Sequence, residues 1–167
     1  MSEELLIIDE KILAESEKRF RTKLINSLAG IRSVALIGTK SNSGEENLAI
    51  FNSLVHLGAN PALFGLITRP DSVERHTLEN ILETKSYTLN FIDKKWRKKA
   101  HQTSARYPKQ ISEFDAVNLT PEYFGNCFSP FVLEAEIKVE MKLEQILDIE
   151  INGTKMIIGS IQKIILP

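Results

Sequence analysis

Apolar and polar residues alternate along the C-terminal third of the chain with the period of a β-strand. Across residues 135–151 the odd positions are almost all apolar, and the even positions are charged apart from Ile146. Such a strand buries one face and exposes the other to solvent. Asn152 and Gly153 follow, the pair that most strongly favours a two-residue hairpin turn, and residues 156–166 form an apolar return strand. The pattern predicts a long antiparallel hairpin.

Four shorter apolar runs precede this hairpin and are also predicted to be strands. They cover residues 32–39, 47–55, 63–68 and 86–92. A hairpin with a wet outer face belongs to an antiparallel sheet, so the pattern favours a mainly β fold, a closed or half-closed β-barrel.

Three segments have helical spacing. They are residues 16–28, which end before Gly30, residues 77–85, and a basic stretch from Lys94 to about residue 105 that Asp93 can cap. Residues 107–129 follow no regular period. Since no repeat or linker divides the chain, we expect one domain at residues 16–167, preceded by a polar lead at residues 1–15.

Charge and composition exclude several classes of protein. With 21 basic and 22 acidic residues the net charge is −1, which disfavours a bulk binder of nucleic acid. The single cysteine, Cys127, excludes an intramolecular disulfide and a multi-cysteine zinc site. The acidic start has no secretory signal pattern, and no apolar window could span a membrane. We therefore expect a soluble cytoplasmic protein without a membrane partner.

Searches for known catalytic and metal-binding motifs fail. The chain has no G-x-G-x-x-G and no G-x-S-x-G, and its strand-then-glycine segment has Glu45 and Glu46 where a phosphate loop needs Lys and Ser or Thr. His56, His76 and His101 lie far apart in sequence. No catalytic residue and no metal site is assigned from the sequence.

The basic run KKWRKK at residues 94–99 has two interpretations. Cations interleaved with an aromatic ring can bind nucleic acid, or the run is a solvated helix face with Trp96 turned inward. The net charge favours the second interpretation, and a nucleic-acid-binding barrel is kept as the less favoured alternative.

A group of basic residues precedes the helix predicted at residues 77–85. Thr77 can cap the helix, whose N-terminus attracts phosphate, and Arg69, Arg75 and His76 lie just before it. Together they can form a site for a phosphomonoester. The alternative is an ordinary cap with arginines at the surface.

Several motifs in a fixed order resemble the flavin reductase-like family of FMN-binding split barrels. They are NLAIFNS at 47–53, Asn60-Pro61, RPDSVERHTLENI at 69–81, YTLNFI at 87–92, SARYPKQISEFDAVNLTP at 104–121, and EIKVEMKLEQI in the hairpin. The resemblance runs from about residue 28 to residue 165. It implies a mainly β FMN-binding split barrel, antiparallel and Greek-key-like, with a few short flanking helices.

The resemblance also implies a set of flavin-binding residues and a homodimer. Arg75, His76 and Thr77 would hold the phosphate of FMN, with Arg69 nearby. Asn47, Leu48, Ala49 and Ser53 would meet the ring and ribityl chain, and Asn90 would support the same part of the sheet. The residues that would close the site, from the same or a second subunit, are His101, Ser104, Ser112, Glu113 and Phe114. Each could instead serve the fold alone.

The activity that the resemblance implies is that of an NAD(P)H-dependent flavin oxidoreductase. Because FMN brings its own redox chemistry, no protein acid, base or nucleophile is strictly required. NADH or NADPH would be a transient electron donor, and a partner monooxygenase or another acceptor would receive the electrons. An FMN-binding electron carrier without nicotinamide activity and a pyridoxamine-phosphate-oxidase-like flavoenzyme are the alternatives.

Overall fold

The computed structural model of the chain describes residues 6–70 and 75–167. They divide into two compact units, with the boundary between Arg32 and Ser33. In the part of the chain that is described, no helix is long and apolar enough to cross a membrane. Residues 71–74 of the RPDSVERHTLENI motif lie outside the described residues.

The first unit contains two short helices. Helix α1 spans Glu10–Glu15 and α2 spans Lys18–Leu28. The Asp9 carboxylate accepts from the Ile12 N–H and caps α1, while Glu17 caps α2. Helix α2 agrees with the helix predicted at residues 16–28, and α1 lies within the segment that the sequence set apart as a polar lead.

The second unit is built on an antiparallel sheet of seven strands. In chain order the strands are β1 Ala35–Lys40, β2 Glu46–Phe51, β3 Leu54–Ala59, β4 Ala62–Thr68, β5 Ser86–Phe91, the short pair β6 Pro121–Glu122 and β7 Phe131–Val132, β8 Lys138–Ile149 and β9 Thr154–Ile165. The main sheet has the order β2-β1-β5-β8-β9-β4-β3. The helices are α3 His76–Thr84, α4 Arg97–Gln102 and α5 Glu113–Val117. The prediction of a mainly β fold with short helices is confirmed.

Both faces of β1 are buried, which explains why its sequence is continuously apolar. Ala35 and Ile37 pack into a cluster with α3 and the central strands, while Leu36 packs on the opposite face with Trp96 and Phe114. Because side chains of a strand alternate between faces, β1 joins the two clusters of the core. The β2 end of the sheet therefore lies between α3 on one face and α5 on the other.

The strand predicted at residues 47–55 is wrong as a single element. The chain forms β2, which pairs with β1, and then β3, which pairs with β4. Between them the Ser53 hydroxyl donates to the Ile67 carbonyl at 2.8 Å and accepts from the Ile67 N–H at 3.2 Å. This side chain takes both backbone positions of a ladder partner at the point where the chain leaves β1.

The long C-terminal hairpin is confirmed, but its predicted two-residue turn is wrong. Ile149 pairs with Thr154, so four residues lie between the strands. Gly153 has φ +69°, whereas Asn152 is not among the residues with positive φ. A two-residue type I′ turn needs positive φ at both positions. Asn152 instead accepts from the Thr154 N–H through its side-chain oxygen at 3.0 Å.

The basic segment forms a shorter helix than predicted, and its tryptophan faces inward. Asp93 accepts from the Lys95 N–H at 2.6 Å, but the helix begins only at Arg97. Trp96 is 7% exposed and packs in the cluster with Phe114. A ring in that position offers no face to a stacked base, so the structure favours the solvated helix face over a nucleic-acid site.

Candidate functional site

A cleft lies where the start of β2, the first turns of α3 and the chain before α5 come together. Its volume is about 230 Å³ when its open mouth is included. The lining residues are Glu45, Glu46, Asn47, His76, Asn80, Lys109, Ile111 and Glu113. Sequence analysis predicted Asn47, His76 and Glu113 as site residues, and the fold brings these three together from distant parts of the chain.

Four buried polar side chains form the inner end of this cleft. The Asn47 amide nitrogen donates to Thr77 Oγ1 at 2.9 Å and to Thr39 Oγ1 at 3.2 Å. The Asn80 amide nitrogen also donates to Thr39 Oγ1 at 3.2 Å. Because the four residues come from β1, β2 and α3, these hydrogen bonds fix the helix N-terminus against the sheet.

Thr77 does not cap α3, so that prediction is wrong. The N-cap residue is Arg75, and the Thr77 side chain lies in the first turn, where it is buried. The Arg75 N–H is bonded instead by the Glu79 carboxylate at 3.2 Å, and the Arg75 guanidinium lies 3.4 Å from the Pro70 carbonyl oxygen. The Thr77 hydroxyl is consequently engaged with β2 rather than with its own helix.

The inner end of the cleft has more hydrogen-bonding capacity than the described residues use. Asn80 Oδ1 is buried and has no partner within residues 6–70 and 75–167. Thr39 and Thr77 act as acceptors, and neither hydroxyl proton has an acceptor in that part of the chain. The first N–H groups of a helix have no partner within the helix, and they carry partial positive charge. With His76 and Lys109 alongside, these groups fit the terminal phosphate of a ligand.

Glu113 is a buried carboxyl group on the α5 side of the cleft. Its Oε2 accepts from the Leu48 backbone N–H at 3.0 Å, and the residue is 8% exposed. Burial raises the pKa of Glu113 above its usual range, while the Leu48 N–H and the nearby His76 act in the opposite direction. Leu48 thus contributes its backbone to the site, although its side chain is fully buried in the core.

We expect Glu113→Gln to make the stability of the protein less dependent on pH. A raised pKa in the folded state means that the folded chain binds this proton more tightly than the unfolded chain. The carboxyl group therefore favours folding while protonated, and this contribution is lost as the pH rises from about 4.5 through the raised pKa. Glutamine keeps an acceptor for the Leu48 N–H but does not titrate.

Urea unfolding of both proteins at a series of pH values measures this effect. The free energy of unfolding of the variant should rise relative to that of the wild type as the pH rises through that window. Glu136→Gln, at an exposed carboxylate outside the cleft, is the matched control. A difference between E113Q and wild type that stays constant with pH would contradict the assignment.

The other predicted residues near the cleft have structural contacts of their own. Ser112 is the N-cap of α5 and accepts from the Phe114 N–H at 3.3 Å. Phe114 is fully buried in the core. Ala49 lies on β2 opposite Ile37, two residues beyond Asn47. These residues shape the elements around the cleft, and none of the three is among its lining residues.

The remaining predicted residues do not line the cleft. Asn90 is fully buried, with its amide donating to the Leu36 carbonyl and accepting from the Val132 N–H. Ser53 is bonded to Ile67 as described above. Arg69 is exposed at the end of β4, and His101 and Ser104 are exposed at α4, where the Ser104 hydroxyl donates to the His101 carbonyl.

Sequence reasoning missed several residues that line or support the cleft. Thr39 and Asn80 complete the buried polar cluster, Glu45 and Glu46 form part of its wall, and Lys109 lies opposite. One signal was present, because Asn80 follows Thr77 by three residues and so shares its helix face. Lys109 comes from the irregular segment and had no pattern to single it out.

Cys127 and the histidines offer no second chemical centre. Burial raises the pKa of Cys127 to about 11, and its thiol donates to the Ser129 carbonyl. Such a thiol is a poor nucleophile at neutral pH. Within the described residues no group of three or more His, Cys, Asp or Glu side chains is placed to hold a metal ion.

Comparisons with known proteins agree with the resemblance seen in the sequence. The family model described as "Flavin reductase like domain" matches residues 31–167. A split-barrel protein from Shewanella frigidimarina NCIMB 400, assigned as a flavin reductase, has 44% identity and a TM-score of 0.93, covering 97% of this chain and 80% of that one. The split-barrel fold predicted from the sequence is confirmed.

More distant relatives share the fold. Nitrilotriacetate monooxygenase component B from Bacillus cereus has 24% identity and a TM-score of 0.86, covering 99% of this chain and 83% of that one. An uncharacterized protein of Aquifex aeolicus (strain VF5) is 26% identical over 136 residues, 80% of this chain and 69% of its own length. The match to a Halalkalibacterium halodurans protein covers 59% of that protein.

Proposed function

Because the chain belongs to the flavin reductase-like domain family, we propose that it is an FMN-binding oxidoreductase that transfers electrons from NADH or NADPH to flavin. The observation that carries this proposal is the cleft at the N-terminus of α3. There a buried amide, two hydroxyl groups, an imidazole and a lysine surround free helix N–H groups. Such an arrangement suits the phosphate that ends the ribityl chain of FMN.

The phosphate end of the flavin is assigned to the first turn of α3. His76 and Thr77 would bind it directly, the Thr77 hydroxyl as donor because its oxygen already accepts from Asn47. Arg75, which sits at the N-cap, would add positive charge. Arg69 is exposed and would contribute at longer range.

The ring end of the flavin is assigned to the start of β2. The Leu48 N–H already donates to Glu113, so a ligand acceptor that uses this N–H has to displace the carboxyl group. Asn47, with both amide hydrogens engaged by threonine oxygens, is held in one orientation before any ligand binds. These side chains bind and orient the flavin rather than react with it.

FMN, when bound, supplies the redox chemistry, accepting two electrons as a hydride from the nicotinamide. The task of this chain is to hold the ring at the cleft and leave one face open to a transient NADH or NADPH. That division of work is consistent with the lack of a paired acid and base among the lining residues. The physiological acceptor is proposed to be a partner monooxygenase or another electron acceptor.

We also propose that the protein is a homodimer. Strand β3 is an edge of the main sheet, and Val55 and Leu57 on it are each 41% exposed. An unpaired edge with apolar side chains is a surface that a second copy can cover. Sedimentation equilibrium tests this, and a monomer at micromolar concentration would refute it.

Flavin titration of the purified protein tests the proposed function. Addition of protein to FMN should quench and shift the flavin fluorescence to a saturating endpoint. Anaerobic addition of NADH or NADPH to the complex should then bleach the flavin absorbance near 450 nm, as reduced flavin does. Bleaching by neither nucleotide, with FMN still bound, would favour the electron carrier, and unchanged FMN fluorescence would refute the proposal.

A further inference from the structure

Asn80 gives the inner end of the cleft a defined chemical preference. The residue is 2% exposed, and its Oδ1 is the unpartnered atom of the buried cluster. Turning the amide by half a turn lets the Thr39 hydroxyl donate to the oxygen and places the NH₂ group where the unpartnered oxygen lies. Every group at this end is then a donor, so the end favours an anionic acceptor.

The mouth of the same cleft has the opposite charge. Glu45 and Glu46 line it at the turn between β1 and β2, and Glu45 is exposed to solvent. The cleft therefore offers donors at depth and carboxylates at its rim. A ligand with negative charge confined to its inner end meets attraction, and one whose charge continues outward meets repulsion.

Both rim carboxylates are held in place by hydroxyl groups. The Glu45 side chain accepts from Ser41 Oγ and Ser43 Oγ, each at 2.5 Å, and these bonds hold the pKa of Glu45 below its usual range. Glu46 accepts from the Tyr123 hydroxyl at 2.6 Å. Carboxylates restrained in this way cannot swing freely away from an approaching anion.

FMN and FAD differ at the position where the cleft changes sign. FMN ends in a phosphomonoester with three terminal oxygens, whereas in FAD one of those oxygens bridges to a second phosphate. Resting on the function proposed above, we propose that this cleft selects FMN over FAD, with Asn80 donating to the terminal phosphate and Glu45 and Glu46 repelling the second phosphate. The two glutamates are specificity-determining residues on this assignment.

Calorimetric titration with FMN, FAD and riboflavin tests the selectivity. The wild-type protein should bind FMN about tenfold or more tightly than FAD, and riboflavin, which lacks the phosphate, more weakly than FMN. In Glu45→Gln/Glu46→Gln the ratio of the FAD and FMN dissociation constants should fall by about threefold or more. Riboflavin affinity should not change, since riboflavin carries no charge.

Matched variants separate this effect from general changes. Glutamine keeps the oxygen that accepts from Ser41, Ser43 and Tyr123, and the single variants E45Q and E46Q should each show part of the effect. Glu136→Gln removes the same charge outside the cleft and should leave the FAD/FMN ratio unchanged. High salt should also reduce the ratio, because exposed charges are screened.

Two results would overturn the inference. Equal affinity of the wild type for FMN and FAD overturns the selectivity alone, and so does a ratio that E45Q/E46Q leaves unchanged while the melting temperature stays that of the wild type. Failure to bind any of the three flavins would overturn the proposed function as well. FMN-selective binding that the two substitutions reduce supports the inference.

Discussion

Gly38→Ala is expected to lower the free energy of unfolding by about 3 kcal/mol or more, because added bulk in a packed site and a lost buried hydrogen bond both destabilise. A Cβ at this position would lie 2.1 Å from the Pro130 carbonyl oxygen and 2.6 Å from Thr88 Oγ1. The Thr88 hydroxyl donates to that same carbonyl at 2.6 Å. The methyl group therefore has to push the chain around residue 130 off the sheet.

Thermal unfolding followed by circular dichroism measures this loss. For a domain of this size about 3 kcal/mol corresponds to a melting temperature lower by roughly 6–12 °C. Gly58→Ala is the matched control, since the nearest atom to its added Cβ is the Pro61 carbonyl oxygen at 3.4 Å. That variant should match the wild type or be slightly more stable. Equal melting temperatures for both variants would show that the contact at Gly38 is not constraining.

Thr77→Val should weaken FMN binding by roughly 10- to 150-fold, the loss of one charge-assisted hydrogen bond worth about 1.5–3 kcal/mol. The Thr77 hydroxyl accepts from Asn47 at 2.9 Å, which leaves its proton for a ligand oxygen. Valine has nearly the same shape but no hydroxyl. Because riboflavin has no phosphate, its affinity should change by less than about twofold.

Thr77→Ser is the matched control for this prediction, because it keeps the hydroxyl and removes only a methyl group. Its FMN affinity should stay close to that of the wild type when measured by fluorescence quenching. Parallel losses of FMN and riboflavin in T77V would show that Thr77 supports the fold around Asn47 instead of binding phosphate. Melting temperatures of both variants check that the comparison is made on folded protein.

Local patterns in the chain were sufficient for most strands. The alternation that runs through β8 and β9 reflects a sheet with one buried face, and the continuous apolar run of β1 reflects burial on both faces. These periodicities are properties of neighbouring residues, so they can be read without the fold. Turns were less accessible: the loop before Thr154 has four residues because Asn152 bonds the next backbone N–H with its side chain.

The candidate site shows the same division between local and long-range information. Thr77 and His76 were found because a helix start is a local signal, and Asn47 and Glu113 were named through the motifs of the family. Thr39 and Lys109 carry no local signal, since they reach the cleft only through strand pairing and a loop. Asn90 was named by resemblance, and the fold places its amide between Leu36 and Val132 instead.

The order of apolar and polar residues was enough to specify a mainly β chain with a long hairpin, because secondary structure follows from short-range periodicity. Which polar groups meet, and which are left without partners, depended on how β1, β2, α3 and α5 pack. Hydrogen bonds such as Asn47 to Thr77 join residues 30 positions apart, and Leu48 to Glu113 joins residues 65 apart. Contacts over such separations form only when the chain is folded, so the tertiary structure decides the shape and the charge of the cleft.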